Sequence, residues 1–207
     1  MNHVVFTIGR EFGSGGKAVG ELLAKRLGIK CYDKELLKLA AKESGFCQDI
    51  FEHQDEKPTS SFLYSLVMDT YSISGYSSAP FLDMPLNHKV FLAQFETIKK
   101  IASEESCVIV GRCADYALAE CKTCINVFIH ADMDDRIRVV MERDGLSESK
   151  SKDLIQKTDK QRASYYNYYT SKKWGDCKSY HLSLDSVRLG IEGCVDMILD
   201  YRDHVIK

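Results

Sequence analysis

The sequence is poor in proline and tryptophan, and it lacks both a long apolar run and an excess of charge of one sign. It has 3 prolines and 1 tryptophan in 207 residues, and every proline lies between residues 58 and 85. The net charge of −2 gives no general reason to bind nucleic acid or a membrane. No apolar run approaches the roughly 20 residues that span a bilayer, and the N-terminus lacks the pattern of a signal peptide. We therefore expect a cytoplasmic protein that binds neither membrane nor nucleic acid.

The eight cysteines indicate reduced thiols rather than a disulfide framework. Hydrophobic residues make up 44% of the chain and charged residues 28%, which is ordinary for a single folded α/β domain over residues 1–207. Cys121 and Cys124 form the only C-x-x-C pair, and neither a second pair nor a nearby histidine completes a set of zinc ligands. Buried, unreactive thiols are therefore favoured over a metal or redox site, and no residue is assigned as a metal ligand.

Residues 8–17, with the sequence IGREFGSGGK, form the most informative segment of the chain. An apolar run at residues 3–8 precedes it, and the following pattern places Val19, Leu23 and Leu27 on one face of a helix. A glycine-rich turn between a strand and a helix binds phosphate through inward-pointing N–H groups, the positive helix N-terminus and a mobile lysine. The candidate phosphate-binding residues are Gly13, Ser14, Gly15, Gly16 and Lys17.

This loop departs from the usual phosphate-binding motif at two positions, and two other interpretations of its glycines stay open. Glu11 occupies the position of the opening glycine, and Ala18 stands where a magnesium-binding serine or threonine often follows the lysine. The glycines are also compatible with a plain strand-to-helix turn. A dinucleotide-binding turn is the second alternative because Asp33 lies about 20 residues further on, but G-x-G-x-x-G has no register that fits.

Short apolar runs alternate with helical patterns, which is typical of a parallel sheet covered by helices on both faces. We predict strands at residues 3–8, 28–33, 107–111, 126–131 and 180–185. We predict helices at residues 34–44, 87–103 and 189–201. A further helix begins after Asp132, and its predicted core face consists of Met133, Ile137, Val140 and Met141.

Residues 46–86 differ in composition from the rest of the chain and predict an excursion from the sheet. They contain all the prolines and a stretch rich in serine and tyrosine at residues 71–78. Apolar side chains such as Phe62 and Phe81 are too frequent here for an idle linker. We therefore expect a small inserted lobe in this part of the chain.

The segment from Ser149 to Lys173 collects positive charge in a slightly acidic chain. Seven lysines and arginines stand there against two aspartates, and tyrosines cluster at residues 165–169. A phosphoryl-transfer site needs cations on a movable element that closes over the transferring group and excludes water. We therefore interpret residues 149–173 as a basic lid. A solvated basic helix and an RNA-binding surface are the alternatives.

Gly111 and Arg112 follow the third predicted strand and supply a second candidate for phosphate binding. An arginine at the carboxyl edge of a parallel sheet faces the crevice in which open α/β folds bind ligands. Its guanidinium can hold a phosphate with two parallel hydrogen bonds. A structural ion pair between Arg112 and Asp115 is the alternative interpretation.

Four segments of the chain carry a resemblance to a known family. They are TIGREFGSGG near the N-terminus, CYDKELL after the second predicted strand, VIVGRCADY around the third, and DKQRASYYNYYTSKKWG before the last. Together they resemble the cytidylate kinase-like proteins of the P-loop nucleoside monophosphate kinase superfamily. The resemblance implies a three-layer α/β fold with a parallel five-stranded sheet of order 2-3-1-4-5, a helical acceptor lobe and a lid. It also implies transfer of the γ-phosphoryl group of ATP to a monophosphate acceptor with Mg²⁺.

The resemblance also implies roles for residues of this sequence. The phosphate loop that binds ATP is matched by Gly13, Ser14, Gly15, Gly16 and Lys17. Asp33 follows the second strand, where cytidylate kinases bind the acceptor, although the surrounding Tyr32-Asp33-Lys34 replaces their acceptor motif. Arg112 and Asp115 match the element that faces the acceptor's phosphate and base. The implied catalytic residues are Lys17, Arg112 and, from the basic lid, Lys160 and Arg162.

These observations favour an ATP-dependent nucleoside monophosphate kinase with small-molecule nucleotides as its ligands and CMP or dCMP as the first acceptor. A nucleotide-binding regulatory module without catalysis is one alternative, because a carboxylate at Glu11 repels phosphates that it faces. A kinase for another small acceptor is the other, because the lobe at residues 46–86 matches no known pattern. Lys160 and Arg162 point about 200° apart on a regular helix, so both reach one phosphate only if the chain bends or neighbouring elements close.

Overall fold

The computed structural model describes residues 3–44, 55–56 and 85–206, and in these parts of the chain helices and strands alternate. The strands are β1 (Val5–Arg10), β2 (Lys30–Tyr32), β3 (Cys107–Val110), β4 (Cys124–His130) and β5 (Leu182–Asp185). The helices are α1 (Gly16–Leu27), α2 (Lys34–Ser44), α3 (Leu86–Glu104), α4 (Ala114–Ala117), α5 (Met133–Asp144), α6 (Glu148–Thr170) and α7 (Ser186–Val205). A short 3-10 helix, Cys177–Ser179, precedes β5.

The strands form one parallel sheet in the order β2-β3-β1-β4-β5, which confirms the predicted topology. Central β1 pairs with β3 and β4, so that Ile8 lies opposite Val110 on one side and Val127 on the other. After β1 the chain forms β2 and β3 on one side of this central strand, and after β3 it crosses to form β4 and β5 on the other side. In such a sheet the ligand crevice lies outside the carboxyl ends of the strands at this reversal.

Two apolar layers, one on each face of the sheet, make the fold three-layered. Alternate residues of a strand point to opposite faces, so Phe6 and Ile8 pack on one side and Val5 on the other. The first layer lies against α1 and α7, with Leu23 and Ile198 fully buried. The second layer lies against α2, α3 and α4. These layers fix the position of the strands, and the candidate site is built on the ends of those strands.

Helix α5 differs from its sequence pattern at one side chain. It begins after Asp132 as predicted, and Ile137 and Val140 are buried together with Ile155 of α6. Met141, however, is 36% exposed, so its assignment to the core face is wrong. Consecutive helical residues point about 100° apart, and the residue after the buried Val140 therefore falls outside the apolar stripe.

The closing helix α7 starts earlier than its periodicity predicts. It begins at Ser186 rather than at residue 189, because the Asp185 carboxylate accepts hydrogen bonds from the N–H groups of Val187 and Arg188 at 3.0 and 3.3 Å. Gly190 interrupts it with a positive φ of 70° and kinks the helix. Periodicity resumes after this kink, which explains the late predicted start.

Some predictions concern residues that the structure does not describe, and others are tested only within the described residues. Apart from residues 55–56 and 85–86, the inserted lobe predicted at residues 46–86 lies outside them, with Phe62 and Phe81. In the parts of the chain with a described structure, no helix is both long and apolar enough to cross a bilayer. Nor does that part contain a group of three or more His, Cys, Asp or Glu side chains able to hold a metal ion.

Of the seven thiols that the structure describes, four are buried as predicted, Cys31 and Cys121 are half-buried, and Cys177 is exposed. Burial raises the pKa of the Cys107 thiol to about 12 and that of Cys194 to about 11. The prediction is wrong for Cys177, which is exposed because it lies in the surface 3-10 helix. Cys121 and Cys124 are both free thiols. A thiol with a raised pKa is protonated at neutral pH and is a poor nucleophile, which fits an inert role.

Candidate active site

The phosphate loop between β1 and α1 presents backbone N–H groups that lack a protein partner. Gly13 and Gly15 have left-handed φ values of 82° and 76° and turn the chain into α1. Within the described residues, the N–H groups of Gly13, Gly15 and Gly16 donate no hydrogen bond to the protein. Unpaired N–H groups at a helix N-terminus form an anion-binding site. The predicted loop therefore has the geometry of a phosphate cradle.

Close packing around the loop requires glycine at these positions. A Cβ atom on Gly16 would lie 2.4 Å from the Cβ atom of Arg10, and one on Gly13 would lie 3.1 Å from the Arg136 carbonyl oxygen. The Ser14 hydroxyl lies 3.0 Å from the carbonyl oxygens of both Glu11 and Ile129. It is buried and fastens the loop to β4, so only the loop backbone is presented to a ligand.

Lys17 lies in the first turn of α1 with a half-exposed side chain. Its Nζ atom is 3.4 Å from Asp33 Oδ2 and 3.6 Å from Glu21 Oε1. Slight burial lowers the pKa of Lys17, but these two carboxylates outweigh it and raise the pKa above its ordinary value. The lysine is therefore charged and carries a long flexible stem next to the loop.

The Glu11 carboxylate contacts other groups of the protein. Its Oε2 atom accepts a hydrogen bond of 3.1 Å from the Ala131 N–H and lies 3.6 Å from Nε of Arg136. A carboxylate that is hydrogen-bonded and beside a guanidinium repels a nearby phosphate much less than a free one does. Glu11 therefore links the loop to the end of β4 and to α5. Its charge is then a weaker argument that the protein is a catalytically inactive module.

Arg112 and Asp33 meet at the carboxyl ends of β3 and β2. Nη1 of Arg112 donates to Asp33 Oδ1 and, at 2.7 Å, to the Val110 carbonyl oxygen. Burial tends to raise the pKa of Asp33, but Arg112 outweighs this and holds the pKa below its usual range. Asp33 therefore stays ionised between Lys17 and Arg112.

Arg112 also holds Asp55 in a forked pair of hydrogen bonds. Nε lies 3.1 Å from Asp55 Oδ1 and Nη2 lies 2.9 Å from Oδ2. Gly111, Arg112 and Cys113 all have positive φ values, between 53° and 77°. Such strain in non-glycine residues is common at functional sites. This left-handed turn directs the buried guanidinium of Arg112 into the crevice.

Asp115 is not the partner of Arg112. It stands in α4 and accepts a hydrogen bond of 2.6 Å from the Tyr166 hydroxyl. Burial raises the pKa of Asp115, and the Tyr166 hydrogen bond partly offsets the rise. The alternative in which Arg112 and Asp115 form a structural pair is therefore wrong, because the left-handed turn directs Arg112 to Asp33 and Asp55.

Glu56 joins two further arginines that the sequence patterns did not place together. Its Oε1 atom is 2.8 Å from Nη1 of Arg10, the last residue of β1, and its Oε2 atom is 3.1 Å from Nε of Arg162. Burial would raise the pKa of Glu56, but Arg10, Arg162 and Arg112 overcome it and hold the pKa well below its usual range. Arg10, Asp55 and Glu56 were not predicted as site residues, and only the place of Arg10 at a strand end signals its role.

Helix α6 is continuous through the basic segment, and this fixes where its cations point. Arg162 is half-buried, and its Nη1 atom donates at 3.3 Å to the Arg10 carbonyl oxygen. Lys160 is exposed. The structure thus brings Arg162, and not Lys160, to the crevice with Arg112 and Lys17, as their 200° separation on a helix requires.

A cavity extends from these charges into the protein. The guanidinium groups of Arg10, Arg112 and Arg162 and the Glu56 carboxylate line one part of it. Asp115 and aromatic side chains, among them Tyr165 and Trp174, also line it. A lining that combines guanidinium groups with aromatic side chains suits a ligand that has an anionic group and a flat ring. The cavity volume is about 20 Å³, so side chains such as Glu56 must move before such a ligand enters.

The sheet order, the phosphate loop and the cationic crevice define a P-loop kinase fold. The model of the cytidylate kinase-like family matches residues 5–188, and the chain belongs to that family. The solved structure of an uncharacterized protein from Eubacterium ventriosum ATCC 27560 is 32% identical, with a TM-score of 0.73 and coverage of 97% of this chain and 99% of that one. No curated protein sequence matches this chain.

Two shikimate kinase structures share the fold at low identity. The enzyme from Bacteroides thetaiotaomicron is 14% identical, with a TM-score of 0.55 and coverage of 97% of this chain and 98% of that one. The enzyme from Acinetobacter baumannii, solved with shikimate, is 12% identical, with a TM-score of 0.51 and coverage of 99% and 96%. The family and the fold together support a kinase, and hence phosphoryl transfer, as the general activity.

Proposed function

We propose that this protein transfers the γ-phosphoryl group of ATP to a nucleoside monophosphate, with CMP or dCMP as the acceptor. One observation carries the proposal: unpaired N–H groups of the phosphate loop stand at the same sheet edge as Arg112 and Arg162. A donor site and an acceptor site at one edge are what direct transfer between two bound phosphates needs.

The loop and Lys17 form the donor side. The N–H groups of Gly13, Gly15 and Gly16 bind the β- and γ-phosphates, and the helix N-terminus adds positive potential. Lys17 leaves Asp33 and Glu21 and contacts the phosphates of the donor. Its flexible stem and its 55% exposed side chain give it the freedom to do so.

The residues present fit Mg²⁺ as an ion held by the phosphates, water and one protein carboxylate. Magnesium is commonly bound in this way rather than in a cage of protein ligands. Asp33 would serve because it is ionised and stands beside Lys17. Ala18 has no side-chain oxygen to offer, and the Ser14 hydroxyl is fastened to the backbone. When bound, the ion offsets the negative charge of the phosphates.

Arg112, Asp115 and the aromatic wall form the acceptor side. The Arg112 guanidinium binds the acceptor's phosphate with the two parallel hydrogen bonds that it now makes to Asp55. Asp115 accepts a hydrogen bond from an exocyclic amino group such as N4 of cytosine. Tyr165 and Trp174 pack against the ring. A base with an exocyclic amino group is therefore preferred, and among such bases the family match favours cytosine.

Arg162 acts during the transfer itself. Its guanidinium contacts the Arg10 carbonyl oxygen, where the loop begins, and Glu56, which also contacts Arg112. From there it neutralises the charge that spreads over the transferring group. The acceptor's phosphate oxygen is already ionised, so no general base and no covalent intermediate are needed. Lys160 contacts the transferring group only if ligand binding changes the shape of α6.

An acceptor panel tests the proposal. The purified protein is mixed with ATP and Mg²⁺ and one monophosphate at a time, and ADP release is measured against an acceptor-free blank. CMP and dCMP should give the highest kcat/KM. Arg112→Lys should lose most of the activity because lysine cannot make the fork, whereas the exposed Arg138→Lys should not. No turnover on any monophosphate by folded protein would contradict the proposal.

The ionised Asp33 favours a kinase for a small hydroxyl acceptor as the second candidate. An aspartate can accept the hydroxyl proton during phosphoryl transfer. The lowered pKa of Asp33 makes it a weak base, which is the reason to prefer an acceptor that is already ionised. Adding shikimate and other small alcohols to the panel separates the two candidates. Calorimetric ATP binding without turnover on any acceptor would instead indicate a regulatory module.

A further inference from the structure

Three arginines from three different elements converge on two neighbouring carboxylates. Arg10 ends β1, Arg112 follows β3, and Arg162 comes from α6. Asp55 is held by Arg112, and Glu56 bridges Arg10 and Arg162 while its Oε1 atom also accepts, at 3.5 Å, from the Arg112 N–H. No other described ion pair of the protein joins so many buried charges.

Charge balance indicates that the two carboxylates fill a site for another anion. The three guanidinium groups pair with Asp33, Asp55 and Glu56, and Lys17, which shares Asp33 with Arg112, also pairs with Glu21. Four cations thus face four carboxylates, and the formal charges of the cluster cancel. Without Asp55 and Glu56, two positive charges remain uncompensated. That surplus matches the charge of a phosphate monoester dianion, and guanidinium groups bind phosphate and carboxylate oxygens with the same forked geometry.

The position of Glu56 agrees with this interpretation. Its carboxylate forms part of the wall of the cavity that Asp115 and Trp174 also line. A ligand whose ring lies against that wall would place its anionic group where Glu56 now is. Glu56 also has a left-handed φ of 51°, a conformation that a residue with a side chain adopts at a cost. Its contacts with the arginines offset that cost only while the anion site is free.

We propose that the Asp55–Glu56 pair is an internal occupant of the acceptor's phosphate site and that a phosphate monoester dianion displaces it. The pair keeps the arginines assembled and neutral when no acceptor is bound. It also sets a threshold, because an acceptor must outcompete two carboxylates that are already in place. A ligand without a dianionic group cannot replace both charges and is rejected. This inference rests on the proposed function only for the identity of the ligand as an acceptor.

Calorimetric titration with inorganic phosphate tests the inference without any turnover. Glu56→Gln removes one competing charge and should bind inorganic phosphate at least about tenfold more tightly than the wild-type protein does. Glu105→Gln is the matched control, because Glu105 also pairs with a cation but lies before β3 at the opposite edge of the sheet. It should bind as the wild-type protein does. Equal or weaker binding by folded Glu56→Gln would overturn the inference and make Glu56 a structural partner of the arginines.

A measurement on the wild-type protein covers the case in which Glu56→Gln does not fold. Hydrogen exchange of the peptide that contains Asp55 and Glu56 should become faster when inorganic phosphate is added, because the pair leaves its buried place. Unchanged or slower exchange at saturating phosphate would overturn the inference. If Glu56→Gln binds phosphate more tightly but the protein turns over no acceptor, only the proposed function is contradicted. If the protein phosphorylates CMP but Glu56→Gln binds phosphate no more tightly than the wild-type protein does, only this inference is contradicted.

Discussion

Asp159 of α6 accepts a hydrogen bond of 2.8 Å from the Phe12 N–H, and this contact joins the basic helix directly to the phosphate loop. The same carboxylate pairs with the buried Arg136 of α5. One further N–H group of the loop is therefore occupied by the protein rather than free for phosphate. A change in the position of α6 and a change in the phosphate loop are thus linked through one side chain.

Loss of Lys17 should impair catalysis more than it impairs folding. Lys17→Ala is expected to lower kcat/KM by about 10²- to 10³-fold, because a preorganised charge is lost from the transferring phosphates. Lys25→Ala, an exposed lysine further along α1, is the matched control and should keep full activity. Steady-state kinetics with ATP and CMP measure the effect. Unchanged kinetics of Lys17→Ala would show that Arg10 or another cation supplies the charge.

Arg162→Ala should lower turnover far more than it lowers ATP affinity. Its guanidinium faces the crevice between donor and acceptor, so its contact strengthens mainly in the transition state. We expect kcat to fall by about 10²-fold or more while the Kd of ATP changes by less than about threefold. Lys157→Ala, an exposed residue of the same helix, should leave both values unchanged.

Lys160 gives a separate test of the shape of α6. The helix is continuous and Lys160 is exposed, so Lys160→Ala should reduce kcat much less than Arg162→Ala does. Comparison of the two variants at saturating ATP and CMP measures this. A larger loss in Lys160→Ala would show that α6 bends or rotates when both substrates bind.

Residues 149–173 should gain protection when both substrates are bound. We predict that this segment exchanges amide hydrogen faster than the sheet does without ligand and becomes ordered with a bisubstrate analogue. Asp159→Asn should reduce the gain, because the carboxylate that joins Phe12 and Arg136 becomes neutral. Equal protection with and without ligand would instead support a solvated basic helix.

Acid should destabilise the protein through Glu56. Its pKa in the folded protein lies below the ordinary value of 4.5, so its contribution to stability is complete above that pH. The contribution is lost as the pH falls towards the folded pKa. Urea unfolding between pH 5 and about pH 3 should show a steep loss of unfolding free energy in the wild-type protein and a shallower one in Glu56→Gln. The exposed Glu142→Gln should follow the wild-type curve.

Much of the fold was predictable because it depends on local periodicity. The strand–loop–helix at residues 3–27 and the helix at residues 34–44 follow from apolar spacing, and the sheet order follows from the family resemblance. Met141 was assigned to the core in error because a stripe was extended by one residue. The late predicted start of α7 has a comparable origin, since the kink at Gly190 breaks the pattern.

The sequence placed the phosphate loop, Asp33, Arg112 and Arg162 in the candidate site, but it did not place Arg10, Asp55 or Glu56 there. Arg112 follows β3 closely and Lys17 follows the loop after β1, and strand ends of a parallel sheet meet at one edge. Asp55 and Glu56 come from a segment without periodicity, and their partners are up to 106 residues away in the chain. No local pattern encodes such a contact. The pairing of Asp159 with the phosphate loop was hidden for the same reason.

Phosphorus NMR of one reaction mixture tests the central claim most directly. Wild-type protein with ATP, CMP and Mg²⁺ should convert the two substrates to ADP and CDP in equal amounts, and Lys17→Ala of the same fold should form neither at a comparable rate. With ATP that carries ¹⁸O in its γ-phosphoryl group, an isotope-shifted β-phosphate signal of CDP identifies the transferred group as the former γ-phosphoryl group of ATP. Folded wild-type protein that binds ATP but forms no diphosphate from CMP, dCMP or any other nucleoside monophosphate would contradict the claim.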